Sequence, residues 1–269
     1  MNHQNDLEAF LERMLDRFGL DFTDYTRSSI ERRIKRILVI WRSPNLDDLY
    51  AKLCREPTLL TQFVQHLTVP FTTMFRDPQF FMALRQQVIP YLGTFPLIRI
   101  WVAGCSTGEE AYATAILLKE CGLLERSLIY ATDLNPSVIE RASSGVFPME
   151  SVREYVENYA RAGGAEGLSA HYAANHGFVR FNSNLKSRMV FSTHNLVSDA
   201  SFNSFQLILC RNVLIYFNRS LQNRVIQLFL NSLENGGFLG LGSKETLVFS
   251  PLASRFQRVG QEKIWQMIS

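Results

Sequence analysis

Three short segments of the 269-residue sequence hold residue types that could do chemistry. The first is Gly104-Cys105-Ser106-Thr107-Gly108-Glu109-Glu110, a glycine turn between an apolar run and an alanine-rich stretch. Glycines at such a turn let a ligand approach the backbone closely. The spacing lacks the Gly-x-Gly-x-x-Gly dinucleotide fingerprint. Two glutamates with no lysine or arginine beside them suit a helix dipole but would repel a pyrophosphate. A ligand with ribose hydroxyls or a positive amine fits better; the plain alternative is a tight turn whose glutamates only compensate the dipole. Asp133 is the second piece. It closes the next apolar run, where an acid commonly receives ribose hydroxyls, although it could equally cap the helix that opens at Asn135. The third is Arg211-Asn212, which follows the apolar run Phe205–Cys210 and emerges at the carboxyl edge of a sheet, where ligands bind in open α/β folds. Tyr216 is the one phenol of the run Val213–Phe217, and a core tyrosine bonded to a carbonyl is its bland reading.

The elements that must position these residues are legible in part. Leu7, Phe10, Leu11, Met14, Leu15 and Phe18 repeat at helical spacing, with Gly19 as a stop. A second helix is expected from Thr26 to Trp41, with Ile30, Ile34, Ile37, Leu38 and Trp41 on its apolar face. Arg32, Arg33, Lys35 and Arg36 are expected on its solvated face, between Arg27 and Arg42. That stretch holds six basic residues and one acid, dense enough to suggest an acidic partner surface. Two shorter helices are expected near Leu46–Cys54 and Thr58–Leu67. Asp77 reads as an N-cap and Pro78 as the first residue of a helix to about Val88. Strand Leu97–Ala103, helix Ala111–Glu120 and strand Ser127–Thr132 then predict a parallel sheet with right-handed crossovers. A helix near Ser137–Ser143 follows. Residues 163–192 read as an insertion with some β structure, including Phe178–Phe181 and Met189–Ser192. Strand Phe205–Cys210, helix Ser220–Leu233, strand Phe238–Leu241 and an antiparallel pair (Arg255–Val259, Lys263–Ile268) complete the chain.

Composition bounds the function classes. Hydrophobic residues make up 46% and charged residues 20%, which excludes a disordered or fibrous chain. No apolar run approaches the ~20 residues that span a bilayer, so no membrane insertion is expected. The first residues lack the order of a signal peptide. Four scattered cysteines form no disulfide framework or zinc pattern, and the five histidines no metal spacing. A reducing, cytoplasmic protein without metal is therefore expected. The net charge of +3 does not by itself imply nucleic acid.

Taken together, the segments resemble the CheR-type methyltransferases, which methylate glutamates on bacterial chemoreceptors. The stretch Thr72-Thr73-Met74-Phe75-Arg76-Asp77-Pro78 is similar to the family's T-x-F-F-R-D-P. Trp101 to Tyr112 resembles W-x-A-x-x-S-T-G-E-E-x-Y. Ala131-Thr132-Asp133-Leu134-Asn135 matches A-[ST]-D-[IL]-[DN], and Cys210 to Phe217 matches C-R-N-V-[LM]-I-Y-F. Leu241-Gly242-Ser243-Lys244-Glu245 resembles a late L-G-x-[SK]-E turn. The resemblance implies an all-helical N-terminal domain over residues 1–75 and a Rossmann-like methyltransferase domain over 76–269, with a small β insertion near 163–192. It implies that S-adenosylmethionine contacts Thr72, Arg76, Glu110, Asp133, Asn195, Leu196, Arg211 and Asn212, with Gly104 at the turn, and leaves as S-adenosylhomocysteine. Asp133 would hold the ribose and Asn195-Leu196 the adenine. Arg76 and Tyr216 would be catalytic, beside the reactive methyl. The helix bearing Arg27, Arg32, Arg33, Lys35 and Arg36 would dock on the acidic helices of a receptor's cytoplasmic domain. The enzyme is expected to act as a monomer, without nucleic acid. Three positions depart from the pattern: Pro70 stands where the family has Asn, Met74 replaces a Phe, and Gln206 replaces an Asp.

A glutamate acceptor is already ionised at neutral pH, with an ordinary pKa near 4.3, so this reaction needs no general base. The alternatives are a methyltransferase of the same fold acting on nucleic acid or a small molecule, and a non-catalytic adaptor that binds the cofactor.

Overall fold

The computed structural model describes residues 3–67 and 72–268. Pro70 lies outside them. Four helices come first: α1 (His3–Phe18), α2 (Arg27–Ile40), α3 (Leu46–Arg55) and α4 (Pro57–Leu67). Their apolar stripes meet in a core of their own, in which Phe10 and Met14 of α1 pack with Ile30, Ile34 and Ile37 of α2, Leu49 of α3 and Phe63 of α4. Asn45 caps α3 by accepting from the Asp48 N–H at 2.9 Å.

A second unit follows. Helix α5 (Pro78–Ala83) passes through a π-helical turn (Leu84–Val88) into α6 (Ile89–Leu92). Then come β1 (Ile98–Ala103), α7 (Glu109–Glu120), β2 (Ser127–Asp133), α8 (Pro136–Ser144), β3 (Val146–Pro148) and α9 (Met149–Arg161). The chain continues through β4 (Tyr172–Asn175), β5 (Phe178–Phe181), α10 (Ser183–Lys186), β6 (Met189–Thr193) and β7 (Phe205–Cys210). It ends with α11 (Arg219–Ser232), β8 (Leu233–Leu241), β9 (Phe256–Arg258) and β10 (Ile264–Met267). Seven strands form one sheet in the order β6-β2-β1-β7-β8-β10-β9, parallel from β6 to β8 and antiparallel beyond. The chain moves outward from β1 to β2 and β6, then returns to β7 on the other side of β1. That reversal opens a crevice at the carboxyl ends of β1, β2 and β7.

Strand alternation distributes the core over both faces. Ile98, Ile100 and Val102 of β1 pack under α5 and α7, whereas Trp101 and Ala103 face α11. No helix of the described residues is long and apolar enough to cross a membrane.

Two local expectations are corrected. The small sheet, ordered β3-β5-β4, recruits Val146–Pro148 from well before residue 163, while Met189–Thr193 leaves it and pairs in parallel with β2. Phe191 explains the departure, because its ring stacks against Tyr112 of α7 at 6.3 Å in the main core. Asp77 does not cap α5. Its backbone is left-handed at φ 54°, and its carboxylate is drawn to Arg211 at 2.7 Å instead. Pro78 does open the helix.

Candidate functional site

The glycine turn leaves β1 with no room for side chains. A Cβ on Gly104 (φ +74°) would lie 2.4 Å from Val213 Cγ2, and one on Gly108 (φ +99°) 2.9 Å from Ala142 Cβ. Asp133 ties this turn to the end of β2. Its Oδ2 accepts from the Ser106 N–H at 2.9 Å and its Oδ1 from the Asn135 N–H at 3.0 Å. Burial pushes the Asp133 carboxyl up, against the pull of those amides.

The glutamate pair divides its work. Glu109 turns away from the crevice, accepting from Thr107 Oγ1 at 2.6 Å and from the Tyr155 hydroxyl of α9 at 3.1 Å. Glu110 faces the crevice and accepts from Arg211 Nη1 at 2.8 Å. Arg211 Nη2 donates to Asp77 Oδ2 at 2.7 Å and to the Arg76 carbonyl at 2.9 Å. The Arg211 guanidinium also lies over the Phe80 ring, 4.2 Å from its centroid. One arginine after β7 thus clamps the start of α7 to the segment before α5. Left-handed backbone collects here. Of six described non-glycine residues with positive φ, four (Phe75, Asp77, Ser106, Asn212) belong to these segments. Such residues cost about 1–3 kcal/mol each and persist where the surroundings over-determine them.

One cavity, about 1090 Å³ with its open mouth included, joins these pieces. Thr72, Arg76, Gly104, Glu110 and Asp133 line it, and so do Asn195, Leu196, Arg211, Asn212 and Tyr216. Every residue expected to hold cofactor or act in catalysis is therefore in one wall or another. Asn195 is shaped by its own loop: its Oδ1 accepts from the Val197 N–H at 3.0 Å, and its N–H donates to Asp199 at 2.8 Å. Glu245 fixes the segment after β7 by accepting from the backbone N–H groups of Asn212 (2.9 Å) and Gly242 (2.6 Å).

The basic helix is not a uniform solvated face. Arg33 turns inward, 7% exposed, and lines the cavity. Its guanidinium donates to the Leu67 carbonyl and sits 4.6 Å from the centroid of the Tyr216 ring. Among the described residues its Nε and Nη2 are buried without a hydrogen-bond partner, and burial lowers its pKa. The cause is tertiary: the N-terminus of α2 is anchored by the Thr26 N–H donating to the Tyr216 carbonyl at 2.8 Å, which lays this flank of the helix over the crevice. Arg27 is held in ion pairs with Glu8 and Glu31. Arg32, Lys35 and Arg36 are exposed and lie outside the cavity wall.

Sequence reasoning missed the inward turn of Arg33 and the contribution of Tyr25, whose ring packs on Phe217 at 5.0 Å and lines the same cavity. Only the helical spacing of Arg33 beside Ile34 and Ile37 hinted at it. Met74 is fully buried, as the Phe it replaces would be. Gln206 is also buried and accepts from the Arg99 N–H at 2.6 Å, so it serves strand β7 rather than the cavity.

The polar groups suit an uncharged diol and an amine better than a phosphate. Asp133 offers carboxylate oxygens, and the buried Ser106 Oγ and Thr73 Oγ1, both in the cavity wall, have no partner among the described residues. Of the arginines that line the cavity (Arg33, Arg76 and Arg211), the one that reaches the start of α7, Arg211, is matched by Glu110 and Asp77. A mostly parallel sheet with this turn and this acid fits an S-adenosylmethionine-dependent methyltransferase. The chain belongs to the CheR methyltransferase family: the family's SAM-binding domain matches residues 70–264 and its all-alpha domain residues 5–68. It is 44% identical over 256 residues to a Pseudomonas putida protein named "Putative methyltransferase Cher3", covering 95% of this chain and 94% of that one. It is 30% identical over 232 residues to a chemotaxis protein methyltransferase of Listeria innocua, covering 86% of each chain. A chemotaxis protein methyltransferase of Salmonella typhimurium is 29% identical over 255 residues, with 91% of this chain and 84% of that one covered.

Proposed function

We infer that this protein transfers a methyl group from S-adenosylmethionine to glutamate side chains of chemoreceptors, forming γ-methyl esters that adjust receptor signalling. The observation that carries this reading is the shared cavity, in which residues of the cofactor motifs and Arg33 of the helical unit face one space. When bound, the cofactor would supply a sulfonium methyl open to direct displacement by the carboxylate oxygen, with the carbon–sulfur pair leaving on sulfur and no proton to transfer. What remains for the protein is alignment and exclusion of water. Arg76 aligns the acceptor carboxylate by a charge-assisted bond, with its own main chain held through Arg211. The Tyr216 hydroxyl fixes the second carboxylate oxygen, and Arg33 stacked on its ring holds that phenol in place. Asp133 takes the ribose, Asn195-Leu196 the adenine, and Thr72, Glu110 and Asn212 the rest of the cofactor.

The partner is the helical cytoplasmic domain of a chemoreceptor, met in the cytoplasm by a monomeric enzyme. Arg32, Lys35 and Arg36 on α2 offer it positive charge. With Arg33 turned inward and Arg27 paired, the helix keeps too few free cations to favour a nucleic acid.

The test is transfer of radiolabelled methyl to a purified chemoreceptor cytoplasmic fragment, scored as volatile methanol released in alkali. Base-labile label that disappears when the candidate glutamates are changed to alanine is the expected result. Cofactor binding without such label would overturn the reading.

A further inference from the structure

A second cavity lies behind the short helix that carries Tyr216. The single turn Leu214–Tyr216 lends Tyr216 to the large cavity, and Leu214 and Ile215 to the second. This one holds about 540 Å³ of empty space, open solvent included. Its other walls are the first turns of α11 and the loop after β8. Ile226 lines the α11 side. Phe249 closes the loop side and is 71% exposed, and its neighbour Val248 is 69% exposed. Two adjacent large apolar side chains held in water on a loop are unfavourable for an isolated protein.

The rim is basic. Arg219 and Lys244 are both exposed and join none of the ion pairs of the described residues. The Arg219 guanidinium sits 5.3 Å from the centroid of the Phe249 ring. The one carboxylate among the lining residues, Glu245, is 4% exposed and committed inward. It accepts from the N–H groups of Asn212 and Gly242, and from that of Ile215 at 3.3 Å. It leaves the rim charge free for a partner.

We propose that this cavity is a second docking subsite for the acidic helical substrate, resting on the functional reading above. An apolar side chain of the substrate helix seats between Ile215 and Phe249, and a carboxylate one turn along the same face pairs with Arg219 or Lys244. Residues three and four apart on a helix share a face about 5–6 Å apart, which matches an apolar seat with a charged rim. Continuity with the site selects this occupant. Ile215 and Tyr216 are consecutive, so a helix that lays a glutamate beside Tyr216 passes over this rim. Across the large cavity, α2 shows Arg32, Lys35 and Arg36 to solvent. The reacting glutamate is thereby gripped from both sides of the mouth.

The test uses the full chain with Phe249→Asp, and separately with Arg219→Glu and Lys244→Glu together. All three positions are exposed, so folding is retained. Steady-state methyl transfer is measured to the purified chemoreceptor cytoplasmic fragment, and cofactor affinity by titration with S-adenosylhomocysteine. The KM for the fragment rises by about tenfold or more in each variant while cofactor affinity stays within about twofold. The salt dependence of that KM becomes shallower in the charge-reversed variant. A fragment KM within about twofold of the parent in both variants overturns the subsite. Failure of the unsubstituted enzyme to label the fragment overturns the functional reading itself, and is told apart because it involves no variant.

Discussion

Replacing Arg211 by methionine removes the clamp while keeping a side chain of similar length. The arginine is 2% exposed at its side chain, Glu110 12% and Asp77 37%. Removing one partner of a buried ion pair destabilises by about 3–5 kcal/mol, because the other charge is left in a dry site. Water already reaches Asp77, so the loss falls mainly on Glu110, and the low end of that range, about 3 kcal/mol, applies. For a chain of this size, about 2–4 °C of Tm accompanies each kcal/mol, which predicts a fall of about 6–12 °C. Arg211→Lys keeps the charge but loses the fork that reaches Glu110 and Asp77 at once, and falls by about half as much. The Arg76 carbonyl also loses its anchor, so turnover drops further than cofactor affinity does. Calorimetry of the three proteins, with methyl-transfer kinetics on a receptor fragment, measures both effects. A methionine variant that melts within about 2 °C of the parent would refute the reasoning.

Asp133→Ala removes the carboxylate offered to the ribose, and the dissociation constant for S-adenosylhomocysteine rises by about tenfold or more, as expected for hydrogen bonds to a charged group; an unaltered constant by titration calorimetry removes the assignment. Arg33→Met leaves Tm within about 2 °C, because relief of a buried guanidinium, two of whose nitrogens have no hydrogen-bond partner among the described residues, offsets the lost bond to Leu67 and the ring contact. Receptor methylation falls by about tenfold or more in the same variant, and a variant that melts far lower with normal turnover contradicts this. Burial alone would raise the Glu120 carboxyl, but hydrogen bonds from Tyr159 and Arg85, with the His171 ring 3.6 Å away, bring it down to about 2 from its ordinary 4.5. A depressed carboxylate contributes stability that is present above pH 4.5 and lost as pH falls toward 2. Glu120→Gln therefore melts lower than the parent above that window, and the two converge within it; parallel Tm profiles from pH 5 to pH 2.5 would count against the cluster.

Sequence was most legible where one residue type solves one local problem. Pro78 opens α5, Gly19 ends α1, and the glycines of the turn sit where no Cβ fits. The cofactor motifs were legible for a related reason: each lies at the carboxyl end of a strand or helix boundary, and parallel order brings those ends together. Pairings over distance were not. Asp77 has every local mark of an N-cap, yet a partner 134 residues away takes its carboxylate. Met189–Thr193 follows the small sheet in sequence but finds a better surface for Phe191 against α7. Arg33 sits at the edge of an amphipathic helix, and only the packing of α2 on the Tyr216 segment decides that it faces inward.

The wall of the large cavity is drawn from both units: Tyr25, Arg33 and Leu67 from one, and the ends of β1, β2 and β7 from the other. Leu134, just past β2, packs into the core of the helical unit. A ligand that fills this space therefore acts as mortar between the two units. Its binding energy is spread over both, and by mass action it raises their melting together. Loaded with cofactor, the chain should unfold in a single transition whose midpoint climbs with ligand concentration. Release of product and loosening of the helical unit then become two descriptions of one event.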